Sequence, residues 1–330
     1  MRRRPARPVL TGALLTATLV VGLAGCSGGP GRPTTTRPTG AAATSPSPAD
    51  AGPTSGVAPS RRFGVGVREL AFNRGGNRPL PVTVWYPAPG SAGGTPTSEA
   101  PVAAGRFPVV LFSHGLTGRP EDYRALLVRW VAAGFVVAAP TYPHTSRGTR
   151  GGVQVLDVVN QPADASYVLT ALLALADRSG DLFRGHLDPD RVAAAGHSAG
   201  GVTTIGLFTA GRDARLDAGI VLAGTALGVG TAFAGTAAPQ LFVHGALDQV
   251  VSYRAGKAAY DRVPWPKAML TLPDGDHGQA LLGRDQRALA VVAGTTVEFL
   301  RWTLYGDPRA KRRLPEQAVR GGLATLDDHL

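Results

Sequence analysis

The 330-residue sequence predicts a single α/β domain with a mostly parallel sheet and helices on both faces. Three observations predict it. Short apolar runs of strand length alternate with longer segments whose apolar residues recur at helical spacing. The runs are continuous rather than alternating in polarity, as expected of strands buried on both faces. The chain is also long enough for one domain of about 250 residues to bury a large fraction of its surface, with no internal repeat to suggest a solenoid.

Taken in order, LPVTVWYP (80–87) and FPVVLFS (107–113) read as strands. EDYRALLVRWVAAG (121–134) has helical spacing and stops on a glycine, and FVVAAP (135–140) is a buried strand. QPADASYVLTALLALADR (161–178) predicts a helix, RVAAAG (191–196) a strand, AGGVTTIGLFTAG (199–211) a helix, and DAGIVLAG (217–224) a strand. PQLFVHG (239–245) is a further strand, SYRAGKAAYDRV (252–263) a helix, KAMLTLP (267–273) a strand, and RDQRALAVVAGTTVEFLRWTLYG (284–306) a long closing helix.

The N-terminus has a different character. Arg2, Arg3, Arg4 and Arg7 precede an apolar run from Val9 to Ala24 that is short for a membrane span but suits a secretory signal. Leu23-Ala24-Gly25-Cys26 resembles the lipobox of bacterial lipoproteins, and Cys26 is the only cysteine in the chain. The expectation is therefore a lipoprotein-type signal peptide over 1–25 and acylation of Cys26, giving an extracytoplasmic, membrane-anchored protein. A secreted protein is the alternative. Residues 26–60 are Gly, Pro, Thr, Ser and Ala with almost no large apolar side chain, the composition of a flexible linker. The folded α/β domain is expected over 61–305, followed by a polar C-terminal tail over 306–330.

The formal net charge is +11, from 34 Lys and Arg against 23 Asp and Glu; the four signal-segment arginines leave 11 − 4 = +7. Much of the remainder lies in Arg61, Arg62 and the segment from Arg309 to Arg313, with no interleaved aromatics. That distribution favours an anionic envelope or lipid surface over nucleic acid. A lone cysteine excludes an intrachain disulfide.

Gly196-His197-Ser198-Ala199-Gly200 matches G-x-S-x-G, as does Gly25-Cys26-Ser27-Gly28-Gly29. Context separates the two. Only the first lies between a strand and a helix, where the turn exposes the serine hydroxyl at a helix N-terminus. Serine needs a base, and the base an orienting acid. In an α/β-hydrolase they follow in the order Ser, acid, His on loops after later strands. Asp248 in HGALDQVV and His277 in LPDGDHGQA occupy those places, while Asp274 and Asp276 are competing acids too close to His277 in sequence. Ser113-His114-Gly115-Leu116 follows a strand where the fold presents an oxyanion donor, so the backbone N–H groups of Leu116 and Ala199 are expected to form the hole. His114 and His144 are candidate substrate contacts. His197 is expected to pack beside the sheet and His244 to lie under the acid loop. No spacing suggests a metal site, and no cofactor is required.

VGVRELAFNRGGNRPLPVTVWYPA, FPVVLFSHGLTG, QPADASYVLTALLAL, DPDRVAAAGHSAGG and HGALDQVV together resemble the bacterial platelet-activating-factor-acetylhydrolase-like and predicted dienelactone-hydrolase-like α/β-hydrolases, a group similar also to chlorophyllases and polyester cutinases. The resemblance covers roughly 64–305 and implies Ser198, Asp248 and His277 as triad with Leu116 and Ala199 as oxyanion donors. The chain departs from dienelactone hydrolases in lacking a Cys nucleophile. It departs from polyester cutinases in carrying Ala199 after the serine and Leu116 after the oxyanion-loop glycine. The resulting expectation is a monomeric serine esterase for short-acyl esters or lipid-like substrates. An envelope acyltransferase on the same triad, or a non-catalytic binding lipoprotein, are the alternatives.

Overall fold

A computed structural model describes residues 57–76 and 78–330. The expected signal segment, Cys26 and the linker up to residue 56 lie outside the described residues. The first elements are β1 (Gly64–Asn73) and β2 (Pro79–Ala88), an antiparallel pair running from Gly64 opposite Ala88 to Asn73 opposite Pro79. β3 (Thr97–Ser98) is a two-residue strand beside β1. There follow β4 (Phe107–Ser113), α1 (Arg124–Ala132), β5 (Val136–Pro140), α2 (Gln161–Leu173), β6 (Leu187–His197), α3 (Ala199–Gly206) and β7 (Leu216–Leu222). The chain closes with β8 (Gln240–Gly245), α4 (Tyr253–Asp261), β9 (Lys267–Leu272), α5 (Gln286–Tyr305), α6 (Pro308–Ala318) and β10 (Thr325–His329).

All ten strands form one sheet, in the order β10-β9-β8-β7-β6-β4-β5-β2-β1-β3. From β5 to β9 every neighbouring pair is parallel, and β1, β2 and β10 supply the antiparallel margins. This is the α/β-hydrolase fold. Because the central strands run one way, their C-terminal ends share one edge, and side chains in the loops beyond them converge there.

Alternate residues of the central strands serve opposite faces. Val110, Phe112, Ala193 and Ala195 pack with Trp130 of α1 and Leu289, Val292 and Phe299 of α5. Val109, Leu111, Val192 and Ala194 pack on the other face with Val168, Leu169 and Leu172 of α2. Both faces are covered, which explains the unbroken apolar runs.

Three differences from the sequence reading have physical causes. β1 was not among the expected strands; only its first residues are fully buried, and its far end carries the exposed Glu69, Ala71 and Asn73. α3 stops at Gly206 rather than continuing to residue 211, its last turns giving way to 3₁₀-type bonds from Leu207 and Phe208. The segment 306–330 is not a tail appended to the domain. Its helix α6 buries Ala310, Leu314 and Ala318, and its strand β10 pairs antiparallel with β9 from Thr325 opposite Thr271 to His329 opposite Lys267. Among the described residues, no helix is long and apolar enough to cross a membrane.

Candidate active site

Ser198 sits alone between the last residue of β6 and the first of α3, with φ 57° and ψ −118°. A positive φ is unfavourable for a residue with a side chain, so the surroundings must impose it. The flanking glycines show how. A Cβ on Gly200 would lie 1.9 Å from the Ser113 carbonyl oxygen at the end of β4, and one on Gly196 would lie 2.2 Å from the Gly200 oxygen. Gly201 also lies against Gly224, where an added Cβ would fall 2.8 Å from the Gly224 Cα. The helix therefore presses on the sheet backbone, and the chain can turn only by carrying Ser198 out of the strand end toward solvent.

His277, in the loop after β9, places Nε2 2.9 Å from Ser198 Oγ and Nδ1 2.7 Å from Asp248 Oδ2. Asp248 lies in the loop after β8 with its side chain fully buried. Its other oxygen, Oδ1, accepts the N–H groups of Val250 (2.8 Å) and Val251 (2.9 Å). Burial pushes the carboxyl upward, but the His277 hydrogen bond and the two backbone donors outweigh it and hold Asp248 below its ordinary value. Asp276 does not compete. Its Oδ1 accepts from Gly278 N and Gln279 N at 2.9 and 2.7 Å, closing a local turn.

A second histidine touches the acid. His244 Nε2 donates to the Val251 carbonyl at 2.8 Å and lies 3.2 Å from Asp248 Oδ2. Burial lowers its pKa, so it stays neutral and supplies a fixed N–H dipole.

The oxyanion loop is held just as firmly. His114, in the loop after β4, is fully buried; Nε2 accepts from Tyr142 N at 3.1 Å, which leaves Nδ1–H to donate to the Gly115 oxygen at 2.8 Å. Thr117 N donates to Thr145 O at 2.7 Å, and Gln161 Nε2 donates to Thr145 Oγ1 at 2.6 Å. Leu116 N–H has no acceptor among the described residues, and Ala199 N–H is the first of α3, one of the donors a helix leaves unused. Both are thus available to a ligand oxygen.

Gly115 N–H donates to Tyr123 Oη at 3.0 Å, and Tyr123 Oη–H donates to His197 Nδ1 at 2.8 Å. Burial pushes the His197 pKa down to about 4, which keeps the ring neutral and Nδ1 able to accept. Sequence reasoning placed His197 beside the sheet but did not anticipate Tyr123 or this bonding, because the partners are 74 residues apart.

An open cleft of about 480 Å³ lies over these groups, lined by Gly115, Leu116, Thr117, Ser198, His277 and Leu282 among others. The expected substrate contacts are corrected here. His114 is sealed off with both ring nitrogens bonded to protein, and the partly buried His144 is not among the residues lining the cleft. Among the described residues, no cluster of His, Cys, Asp and Glu could hold a metal ion.

The arrangement is a buried acid, an imidazole and a strained serine in hydrogen-bonded series, with backbone donors beside the hydroxyl. The chlorophyllase family model matches residues 92–225. That span takes in the oxyanion loop and the Ser198 elbow, and points to an esterase-type hydrolase. It ends before Asp248 and His277, whose assignment rests on geometry. No curated protein matches the chain.

Proposed function

We propose that the chain is a serine hydrolase that cleaves carboxylic esters through an acyl-enzyme at the outer face of a membrane. The observation that carries the reading is the continuous contact from Ser198 Oγ through the His277 ring to Asp248, at 2.9 and 2.7 Å. His277 takes the serine proton as Oγ attacks the ester carbonyl, and Asp248 fixes the ring and stabilises the imidazolium. Leu116 and Ala199 N–H groups hold the tetrahedral oxyanion. His277 then protonates the leaving alcohol, and water, activated by the same ring, releases the acid.

Short acyl chains fit the site best. The connection 223–239 carries no helix to serve as a lid, and the cleft beside Leu116 and Leu282 is open to solvent. Apolar side chains stand exposed in the connections that follow the C-terminal ends of the strands: Val155, Leu156 and Val159 on a 3₁₀ turn, and Leu227, Leu247 and Val250 in loops. They favour an ester with an apolar portion outside the acyl pocket. Membrane attachment is supported by the Leu23-Ala24-Gly25-Cys26 tetrad.

A fluorophosphonate probe should label the wild-type chain at Ser198 and leave Ser198→Ala unlabelled. A p-nitrophenyl ester series from acetate to palmitate should peak at about two to six acyl carbons, since each methylene that fits adds up to about 0.8 kcal/mol and further ones meet solvent. Absence of labelling would remove the catalytic reading, and a profile still rising at palmitate would remove the short-acyl one. A globomycin-sensitive mature form beginning at Cys26 is the expected outcome for the anchor.

A further inference from the structure

The described chain begins at the pole opposite the cleft. Ser198, Asp248 and His277 lie beyond the C-terminal ends of β6, β8 and β9. The segment from Val57 to Arg62 instead packs where α1 ends and β5 has yet to begin: Phe63 N donates to Ala132 O at 3.0 Å, and a Cβ on Gly134 would meet Pro59 at 2.9 Å. The far end of α5 meets it there, with Arg301 Nη2 donating to Pro59 O at 3.2 Å and Tyr305 Oη donating to Gly134 O at 2.6 Å. α5 starts beside the His277 loop and has 20 residues, so its two ends are about 30 Å apart.

This pole is strongly basic. Ser60, Arg62, Arg129 and Arg301 line one hollow of about 360 Å³, and Ser60, Arg301, Arg309 and Arg313 line an adjoining one of about 560 Å³. The carboxylates that share these hollows are Glu298 and Asp307, and Arg313 spans both. Arg301 Nε is buried without a partner among the described residues. Arg129 is held below its ordinary value by burial and then by Arg62, and Arg301 by burial first, which Glu298 opposes and Arg313 and Arg62 reinforce. α6 adds the exposed Lys311 and Arg312. The cluster thus has more cationic groups than the protein neutralises, around the place where the N-terminal part of the chain joins the domain.

We propose that this basic pole docks on an anionic lipid surface, with the catalytic cleft directed away from it. Two observations select lipid. The apolar run Val9–Ala24 and Cys26 lie roughly 30 residues upstream of Val57, within linker reach of this pole. Arg301 and Arg313 share Glu298, but Arg62, Arg129 and Arg309 have no carboxylate partner among the described residues, and such free guanidiniums match the phosphate groups of anionic lipids, whose attraction for each Lys or Arg at the surface is substantial. The inference rests on the proposed membrane location but not on the esterase chemistry. The enzyme would then act on esters arriving from outside the membrane that holds it.

The test uses the mature chain from residue 26 carrying Cys26→Ser, so that neither the apolar run Val9–Ala24 nor an acyl group contributes, and flotation with vesicles of phosphatidylglycerol and phosphatidylcholine. Binding to the phosphatidylglycerol vesicles is expected, falling steeply with salt, with little binding to phosphatidylcholine alone. Arg62→Gln, Arg309→Gln and Arg312→Gln together, all at exposed positions, should weaken it tenfold or more. Leu156→Ser with Leu227→Ser, exposed in the connections beyond the C-terminal ends of β5 and β7, should leave it unchanged. Equal binding to both vesicles, or binding lost in the leucine variant and kept in the arginine variant, would place the contact on the opposite side of the sheet and overturn the proposal. So would capture of the chain by soluble polyphosphate with no vesicle binding.

Discussion

His197 Nε2 donates to the main-chain carbonyl of His277 at 2.6 Å, and the two rings lie 4.7 Å apart. The residue preceding the serine therefore carries the base loop on one nitrogen. Through Tyr123, its other nitrogen carries the oxyanion loop. Gly115 N–H, Tyr123 Oη, the His197 ring and the His277 carbonyl form one hydrogen-bonded tie across the floor of the cleft.

Tyr123→Phe keeps the buried ring and removes both hydroxyl hydrogen bonds. Gly115 N–H and His197 Nδ1 are then buried without partners, and the loops bearing the oxyanion donor and the base lose their common anchor. The expected result is a kcat lowered about tenfold with KM nearly unchanged, since about 1 to 1.5 kcal/mol of positioning is lost and the ring that lines the cleft is kept. Steady-state kinetics on a soluble ester reads this directly. A KM change with kcat intact would assign Tyr123 to substrate binding instead.

Asp248→Asn should lower kcat by roughly 10⁴-fold, because the amide cannot hold the His277 tautomer that the carboxylate selects. Asp276→Asn should cost less than threefold, since Asp276 caps a turn through Gly278 and Gln279 and does not reach the ring. If the two variants proved equally damaged, Asp248 would lose its assignment as the acid of the triad.

The centre of the fold was legible because burial on both faces leaves a compositional trace. The run 107–113 coincides with β4, and β6, Leu187–His197, extends the run 191–196 by four residues before it and one after it. The margins carry no such trace. β10 is TLDDH, held by main-chain pairing to β9 while its side chains stay mostly exposed, and α6 buries only every fourth residue in a strongly basic stretch. In the site, chain order brought out Ser198, Asp248 and His277, and the geometry places them in contact. The sequence places His244 under the acid loop, where it lies, but Tyr123 had no motif to announce it, because its role arises from bonds formed only once the sheet is assembled. His114 was misjudged for the related reason that a loop position after a strand does not reveal which way a ring is buried.

Gly200→Ala should destabilise the fold by several kcal/mol and abolish activity together. The new methyl would meet the Ser113 oxygen at 1.9 Å and its carbon at 2.4 Å, backbone atoms of a central strand that cannot step aside. Gly76→Ala is the control. Its φ is positive, at 53°, unlike that of the helical Gly200, yet nothing lies within 4 Å of the added methyl, so it should cost about 1 kcal/mol and spare activity. Denaturant unfolding of the two variants separates crowding from backbone strain, and equal losses would show that the close approach at the elbow is not what Gly200 provides.

Acid should destabilise the protein well above the carboxylate range. Burial pushes both His114 and His197 down to about 4 from an ordinary 6.5. Between those values the unfolded chain binds protons that the folded chain refuses, so stability rises with pH across that window. The stabilisation is fully present above about pH 6.5 and is lost as pH falls toward 4, on the order of 3 kcal/mol for each ring. Protonation is also incompatible with the bonding, because Nδ1 of His197 and Nε2 of His114 both act as acceptors. The lowered Asp248 adds a loss of the same sign only near and below its ordinary 3.8. Unfolding followed from pH 7.5 to 4.5 should therefore show Tm flat at the top and falling below about 6.5, with close to two protons taken up per molecule near pH 5 on account of these rings. His197→Gln, whose amide can still donate to the His277 carbonyl, should lower that uptake by about one. A Tm that stays level down to pH 4.5 would mean that neither ring is held neutral by burial, and the hydrogen-bond directions assigned through Tyr123 would fall with it.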